Sequence, residues 1–561
     1  MWIFVRRVAA ALAAAALVPV WPAAGAGADP GPDAVRAVQA GLLRATGLAP
    51  GLSAAAAGPG SGLTAVGGGH ACAVVQYSDL WCWGRNHHGQ LGDGGTRDSA
   101  RPVRVTASGR LAGAAGLLAV HAGRVHTCAL ALEYAAMGLV VYCWGGNDEG
   151  QLGDGSFADR SRPAQVTADA AQVVTGAEHT CVLSIELTVS CWGRNDAGQL
   201  GIGTLGTSES NPQPVPGLTD VVDLAAGDDH TCALRQNGDL WCWGSDADGR
   251  LGDGGGAGAP APSPVRVRGG PYTEVSAGGR HTCALDRRAA ASCWGAGDRG
   301  QLGRAGDPSA PGRVGHRAYA GLRAGGDSTC GITGGGAAYC WGANDDGQLA
   351  VGDHADRARP APVDRTGIRT STLVRLVLGR AAPVLADLSV GAGRTCAADA
   401  SLVVYCTRDG VLRTVPLAPG AATAVRAAPR PRALRIAWAA PARSGADRIG
   451  AYVAVAFTGR TLEGSRSCTT TARACTVTGL TGGRRYTVLV AAVSHGGVSY
   501  SALGHGTALA AGTGAGLPIT GPGPFGAAGV ALVAAGWLLV TACRPRGPGR
   551  LRRPVARGRP A

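Results

Sequence analysis

HTCALRQNGDLWCWGSDADGRLGDG, residues 230–254, places Cys232 and Cys242 ten positions apart with a turn, Gln236-Asn237-Gly238, midway between them. Ten is even, so in an antiparallel hairpin both side chains point to one face. Directly opposed residues then have the Cα spacing that a disulfide requires. The same arrangement recurs along the chain as Cys72 with Cys82, Cys128 with Cys143, Cys181 with Cys191, Cys283 with Cys293, Cys330 with Cys340 and Cys396 with Cys406. Only the second pair departs from ten, at fifteen, and its longer run EYAAMGLVV reads as an insertion at the hairpin tip. An eighth pair, Cys468 and Cys475, follows and reads as a local bridge. With Cys543 in a C-terminal apolar run, sixteen cysteines remain, an even number that fits an exported disulfide framework. Zinc is the rival reading, but two ligands without CxxC spacing do not make a structural site.

The text around each pair repeats: HTCAL…VYCWGGNDEGQLGDG, HTCVL…VSCWGRNDAGQLGIG and HTCAL…ASCWGAGDRGQLGRA. First cysteines lie 56, 53, 51, 51, 47 and 66 residues apart, and a period near fifty signals a propeller or a solenoid. Each unit reads as a short strand ending in His-Thr-Cys, a turn, a second strand ending in Cys-Trp-Gly, a Gly-rich loop, and a third strand marked by proline and valine, as at Pro102-Val103, Pro214-Val215 and Pro264-Val265. Val, Leu and Ala alternating around the cystine give such a sheet two apolar faces, which only neighbouring sheets on both sides can cover. Gly at 92 of 561 residues, against a usual ~7% and without a Gly-X-Y period, fits many tight turns and excludes collagen. The fold expected is all-β.

These repeats resemble the regulator of chromosome condensation family, whose members form seven-bladed β-propellers. The resemblance covers residues 64–416, and its seven units imply one ring, with the strand Val411 to Leu417 pairing beside the first unit to close it. Ser328 and Arg394 stand where other units have His, Ala350 stands where Gly is usual, and the seventh unit lacks both Trp-Gly and Gly-Gln-Leu. Nuclear members of the family exchange nucleotide on a small GTPase. That role does not carry over, because only scaffold residues match and the chain reads as exported. A plant photoreceptor of the same fold uses clustered tryptophans, but its Gly-Trp-Arg-His-Thr signature is absent here.

The recurring His70, His126, His179, His230 and His281 invite a metal reading. Equal positions in successive blades lie apart around a ring, so hydrogen-bonded structural histidines are the expectation. Asp246-Ala247-Asp248-Gly249 and Asn195-Asp196-Ala197-Gly198 look like half of a calcium loop but lack its twelfth-position Glu, so turn chemistry is expected instead. Trp83, Trp144, Trp192, Trp243, Trp294 and Trp341 read as core. With no Ser/His/Asp or Cys/His set, phosphate loop or paired carboxylate, no catalytic residue, metal or cofactor is assigned.

After a Pro/Ala/Arg linker, residues 420–508 read as alternating strands and turns. They resemble a fibronectin type III domain. Trp438 with Pro441, Tyr452, and Leu480 six residues before Tyr486 stand at that sandwich's core tryptophan, strand-C tyrosine and tyrosine corner. Residues 509–516 form an Ala/Gly spacer.

Residues 1–26 carry Arg6-Arg7, an apolar run and Ala24-Gly25-Ala26, the order of a secretory signal peptide. Residues 517–561 hold Leu517-Pro518-Ile519-Thr520-Gly521, an apolar stretch and seven arginines. That order resembles a Gram-positive cell-wall sorting signal and implies cleavage by sortase between Thr520 and Gly521, with transfer to peptidoglycan. A retained membrane anchor is the alternative. The two ends hold nine of the arginines and no acid, so removing both takes the net charge from +14 to +5 and leaves no basic stripe for nucleic acid. The expectation is a wall-anchored protein of an actinobacterium-like Gram-positive cell, whose propeller loops bind a protein or a glycan. A propeller that inhibits wall enzymes such as β-lactamases or penicillin-binding proteins is the second reading.

Overall fold

The computed structural model describes residues 62–510 except 76–78, 106–113, 134–137, 256–257, 367–384, 400–402, 418, 447, 459–464, 495–496 and 502–503. The signal peptide, spacer and sorting signal, including Leu517, Pro518, Ile519, Thr520 and Gly521, lie outside the described residues. Two compact units divide at Leu417 and Ala418.

The first unit is seven four-stranded antiparallel sheets, each a simple meander in chain order. These blades cover residues 64–104, 114–168, 170–214, 221–266, 272–318, 321–362 and 385–414. Blade 1 shows the plan: Thr64–Val66, His70–Val75, Asp79–Gly84 and Ser99–Arg104. The first strands of successive blades touch one another around a ring, and that of blade 1 touches that of blade 7. The first strand is therefore innermost.

Three expectations change here. Each unit has four strands instead of three, and His-Thr-Cys begins the second strand instead of ending the first. The inner strand was hidden because runs such as Val221–Ala226, VVDLAA, are short and interrupted by a charged residue, Asp223, whose partner is the Val275 amide of the next blade. In blade 2 the extra residues lengthen the strands, His126–Glu133 and Gly138–Gly145, because the alternating apolar pattern simply continues outward. Finally, Val411–Thr414 pairs within blade 7, not with blade 1. The ring closes by packing, with the Thr64 amide and hydroxyl donating to Asp387 Oδ2 at 2.9 and 3.1 Å and the Val66 amide donating to Ser389 Oγ at 3.0 Å.

In every blade the two cysteines are directly opposed in register, with Cα atoms 4.0–4.1 Å apart. Core clusters span neighbouring blades: Trp243 of blade 4 is enclosed by Cys181, Cys191 and Leu200 of blade 3. The apolar faces are thus buried between sheets, as stacking demands.

In the second unit, Thr423–Arg430, Ala433–Ala439 and Ala474–Val477 form one sheet. Ala451–Phe457, Arg466–Thr470, Arg485–Ser494, Gly497–Tyr500 and Gly504–Thr507 form the other. Leu434, Ile436 and Trp438 from the first meet Tyr452, Ala454 and Val490 from the second in one core. Cys468 and Cys475 are bonded, but across the two sheets. The turn at Ala472 and Arg473 hands the chain from one sheet to the other, so a pair seven residues apart is not local to a strand.

Candidate functional site

The five recurring histidines are fully buried, and each reaches into the next blade. Nε2 of His70, His126, His179, His230 and His281 lies 2.8, 3.0, 2.9, 2.9 and 2.7 Å from Oγ1 of Thr127, Thr180, Thr231, Thr282 and Thr329. Each threonine donates its single hydroxyl proton to a main-chain carbonyl of the preceding blade, at Gln90, Gln151, Gln199, Arg250 and Gln301. The imidazole must therefore carry its proton on Nε2 and donate it, which leaves Nδ1 a bare lone pair. Nδ1 is buried without a hydrogen-bond partner of good geometry in all five, and only at His179 does a main-chain group, that of Asp228, pull the imidazole pKa back upward.

The same carbonyls of Gln90, Gln151, Gln199 and Arg250 accept the indole N–H of Trp144, Trp192, Trp243 and Trp294 at 2.9–3.0 Å. Three bonds thus meet at each junction. The glycine three positions before each His is obligatory: a Cβ on Gly67, Gly123, Gly176, Gly227 or Gly278 would fall 2.1–2.8 Å from the imidazole Cε1.

Burial holds these imidazoles far below their ordinary value near 6.5, at about 4 for His70 and His179 and about 3 for His126 and His281. His230 is lowered too, by burial first and then by Arg250. They are neutral structural donors whose accepting atoms are threonine hydroxyls, and they do not converge on a common point. Among the described residues no group of three or more His, Cys, Asp or Glu is arranged to hold a metal ion.

A second set of bonds caps the exposed edge of the inner strands. Gln172 accepts the Leu224 amide, Asp223 the Val275 amide and Glu274 the Leu322 amide, each across one junction. Burial pushes Glu274 up to about 7 against the pull of Arg323, and raises Asp387 as well. The threonines and these inner-strand polar residues escaped sequence reading, although His-Thr recurs in plain sight; their partners are some fifty residues away.

The meander places the turn before each His and the loop after each Cys-Trp-Gly at the same end of the ring. Those loops are built by one device. Asn147 Oδ1 accepts the Leu152 amide while its Nδ2 donates to the Ser156 and Ala158 carbonyls, and Asn195 and Asp246 repeat the pattern on Leu200 and Leu251. The half calcium loops are turn chemistry.

The loops, residues 85–98, 146–159, 194–208, 245–260, 296–311, 343–356 and 409–410, contain 17 Asp and Glu against 6 Arg. Ion pairs run between blades at this end, Arg124 with Glu178, Arg280 with Asp327 at 3.5 Å, and Arg299 with Asp345 and Asp356. Two large apolar side chains, Phe157 and Leu205, stand exposed at equal loop positions six residues beyond Gln151 and Gln199. The arrangement offers a rigid, acidic surface with variable loops and a few apolar points, which suits recognition.

The RCC1-like domain family matches residues 140–406, and the regulator of chromosome condensation (RCC1) repeat matches residues 78–130. This chain carries an RCC1-like repeat propeller domain. It is 32% identical over 252 residues to the Ultraviolet-B receptor UVR8 of Arabidopsis thaliana, across 43% of this chain and 54% of that one. It is 29% identical over 248 residues to the human E3 ubiquitin-protein ligase HERC2, across 42% of this chain and 5% of that one. The chain spans about half, or far less, of the length of these curated relatives. The crystal structure of human WBSCR16 superposes with a TM-score of 0.51 at 22% identity, over 60% of this chain and 86% of that one, which shows a shared fold. Among the described residues no helix is long and apolar enough to cross a membrane.

Proposed function

We propose that the protein is exported and covalently attached to peptidoglycan by sortase through Leu517-Pro518-Ile519-Thr520-Gly521, where it displays the RCC1-like propeller as a binding head for a protein or glycan ligand. One observation carries the reading: a buried cystine in every blade. Seven such bonds persist in an oxidising compartment and not in a reducing cytosol. The order signal peptide, propeller, sandwich, spacer, sorting signal is that of a displayed protein. In this reading the second unit is a fibronectin type III stalk. Supporting that name, Tyr486 Oη accepts the Thr481 amide at 2.8 Å as a tyrosine corner does, and Trp438 packs on Tyr452 with centroids 5.3 Å apart. Recognition is assigned to the loop end, where the acidic surface favours a ligand bearing cationic groups.

The test is fractionation of the producing cells. Muramidase should release the chain with a peptidoglycan fragment, ending at Thr520. Its non-reduced mass should be sixteen hydrogens below that of the reduced form, from eight disulfides. Recovery of a free-thiol chain from the cytosol overturns the reading.

A further inference from the structure

The three-bond link between blades is complete at four junctions, 1/2 to 4/5, and its His–Thr bond continues at 5/6. Past blade 6 it stops. At junction 6/7, Ser328 replaces the histidine and spends its hydroxyl on Ala343 O in its own blade. Thr395, the threonine that should receive the histidine, is buried with its Oγ1 unpartnered. Thr407 replaces the tryptophan, and Gly321 stands where Gln172, Asp223 and Glu274 cap the next inner strand.

Ala350 records the same loss. Elsewhere that position is glycine, because a Cβ on Gly92, Gly153, Gly201, Gly252 or Gly303 would lie 2.3–2.8 Å from the indole of the next blade. With no tryptophan in blade 7, an alanine is accommodated, even at φ 56°. Among the described residues, what remains across 6/7 is an apolar contact, with Leu349 and Ala350 against Leu388, Val390, Tyr405 and Leu412, two hydrogen bonds, Gln348 to Ala392 O and the Gly352 amide to Gly410 O, and the attraction of Arg323 for the Asp387 carboxylate.

Junction 7/1 also lacks the link, since Arg394 and Ala71 replace His and Thr. It has its own fastening instead: Asp387 takes two bonds from Thr64 and Ser389 a third from Val66. Blade 7 is therefore tied to blade 1 by three hydrogen bonds on the inner-strand side chains Asp387 and Ser389, and to blade 6 by apolar packing, the two bonds from Gln348 and Gly352 and the attraction of Arg323 for Asp387.

We infer that the ring parts between blades 6 and 7, with blade 7 swinging as a unit on blade 1. The Cys396–Cys406 cystine lies wholly inside the blade and does not oppose the parting, and once apart from blade 6 the strands of blade 7 lose the packing that protects their amides. Opening uncovers the apolar wall formed by Leu349, Leu388, Val390 and Leu412. The inference is independent of where the protein resides, and the failure of either leaves the other standing.

The test is native-state amide exchange of the full chain followed by mass spectrometry. Peptides from residues 385–414 should exchange at least tenfold faster than those from residues 170–266, where the link is complete. Ser328→His restores the missing donor opposite Thr395, on a turn that already has glycine at the required place, Gly325. It should slow exchange in residues 385–414 several-fold, and the double variant Ser328→His/Thr395→Val should lose that gain. If Ser328→His fails to fold, the reverse experiment replaces it: Thr180→Val strips junction 2/3 of its link and should raise exchange in residues 114–168 toward that of blade 7. Equal protection of blades 3, 4 and 7 overturns the inference. So does a folded Ser328→His with unchanged exchange, an unchanged Thr180→Val, or fastest exchange confined to residues 64–75.

Discussion

Lowering the pH from 7 to 5 should loosen the propeller, and the five buried histidines set the size of the effect. Their folded values lie below the unfolded one near 6.5. The unfolded chain therefore takes up protons at pH 5 that the folded chain refuses. Stability is full above the unfolded value and falls as pH drops from about 6.5 toward the folded values. For the four at about 3 to 4, the difference at pH 5 is about 1.5 pH units, or about 2 kcal/mol each and about 8 kcal/mol together. Glu274, held up to about 7, works the other way, since the folded chain keeps its proton where the unfolded chain loses it. Acidification to pH 5 relieves a penalty of about 2–3 kcal/mol there. Against Glu274 alone the histidines win by about 5 kcal/mol; Asp228, Asp246 and Asp387, raised by burial, act in the same sense as Glu274, and His230 adds to the histidines' side. Burial is the cause: a second imidazole proton would sit on a desolvated Nδ1, and only at His179 does a main-chain group, that of Asp228, offer partial relief. Urea denaturation between pH 5 and 7.5 reads the slope. His179→Gln keeps a donor toward Thr231 but cannot titrate, and should remove about 2 kcal/mol of the loss at pH 5. A urea midpoint flat from pH 7 to 5, or a His179→Gln slope equal to the parent's, refutes the reasoning.

Replacing both Cys232 and Cys242 by alanine should cost about 2–4 kcal/mol in urea unfolding, the usual worth of a cystine closing a short loop; no change would mean the hairpin is already fixed without it. Gly153→Ala places a methyl 2.5 Å from the Trp192 indole nitrogen at φ 74°, and should lower the thermal midpoint by several degrees or prevent folding. Ala350→Gly, at the same position of blade 6, should stay within about 1 kcal/mol of the parent; equal effects at the two sites would break the argument from the missing tryptophan.

The cystine hairpins and the tryptophan core were legible because they are properties of one repeat: spacing ten, opposed partners, a midway turn. What escaped lies between repeats. His179 finds Thr231 fifty-two residues later, and the Gln199 carbonyl that completes the link belongs to neither residue's motif. The inner strand escaped because its edge is satisfied by the neighbouring blade's Gln172, Asp223 or Glu274 and so needs no pattern of its own. The closing strand was expected to pair across the seam, but Val411–Thr414 is taken by blade 7, and Asp387 does the work instead.

Ser328, Arg394, Ala350 and Thr407 look like four independent departures when units are compared with one another. Set on the ring they reduce to three: Ser328 facing the retained Thr395, Arg394 with Ala71, and Thr407 with Ala350. An interblade link needs its histidine on one blade and its threonine on the next; with Arg394 in the first place, no imidazole requires a hydroxyl at Ala71 in the second. Likewise Thr407 frees Ala350 from being glycine. The cystines cannot make up these losses, since each bond joins strands of one blade and meets the neighbouring blade only by packing. Covalent and hydrogen-bonded stabilisation are thus divided by direction: sulfur along the blade, imidazole and hydroxyl around the ring. Reductant should then soften individual hairpins, whereas acid should part blade from blade while every cystine stays closed.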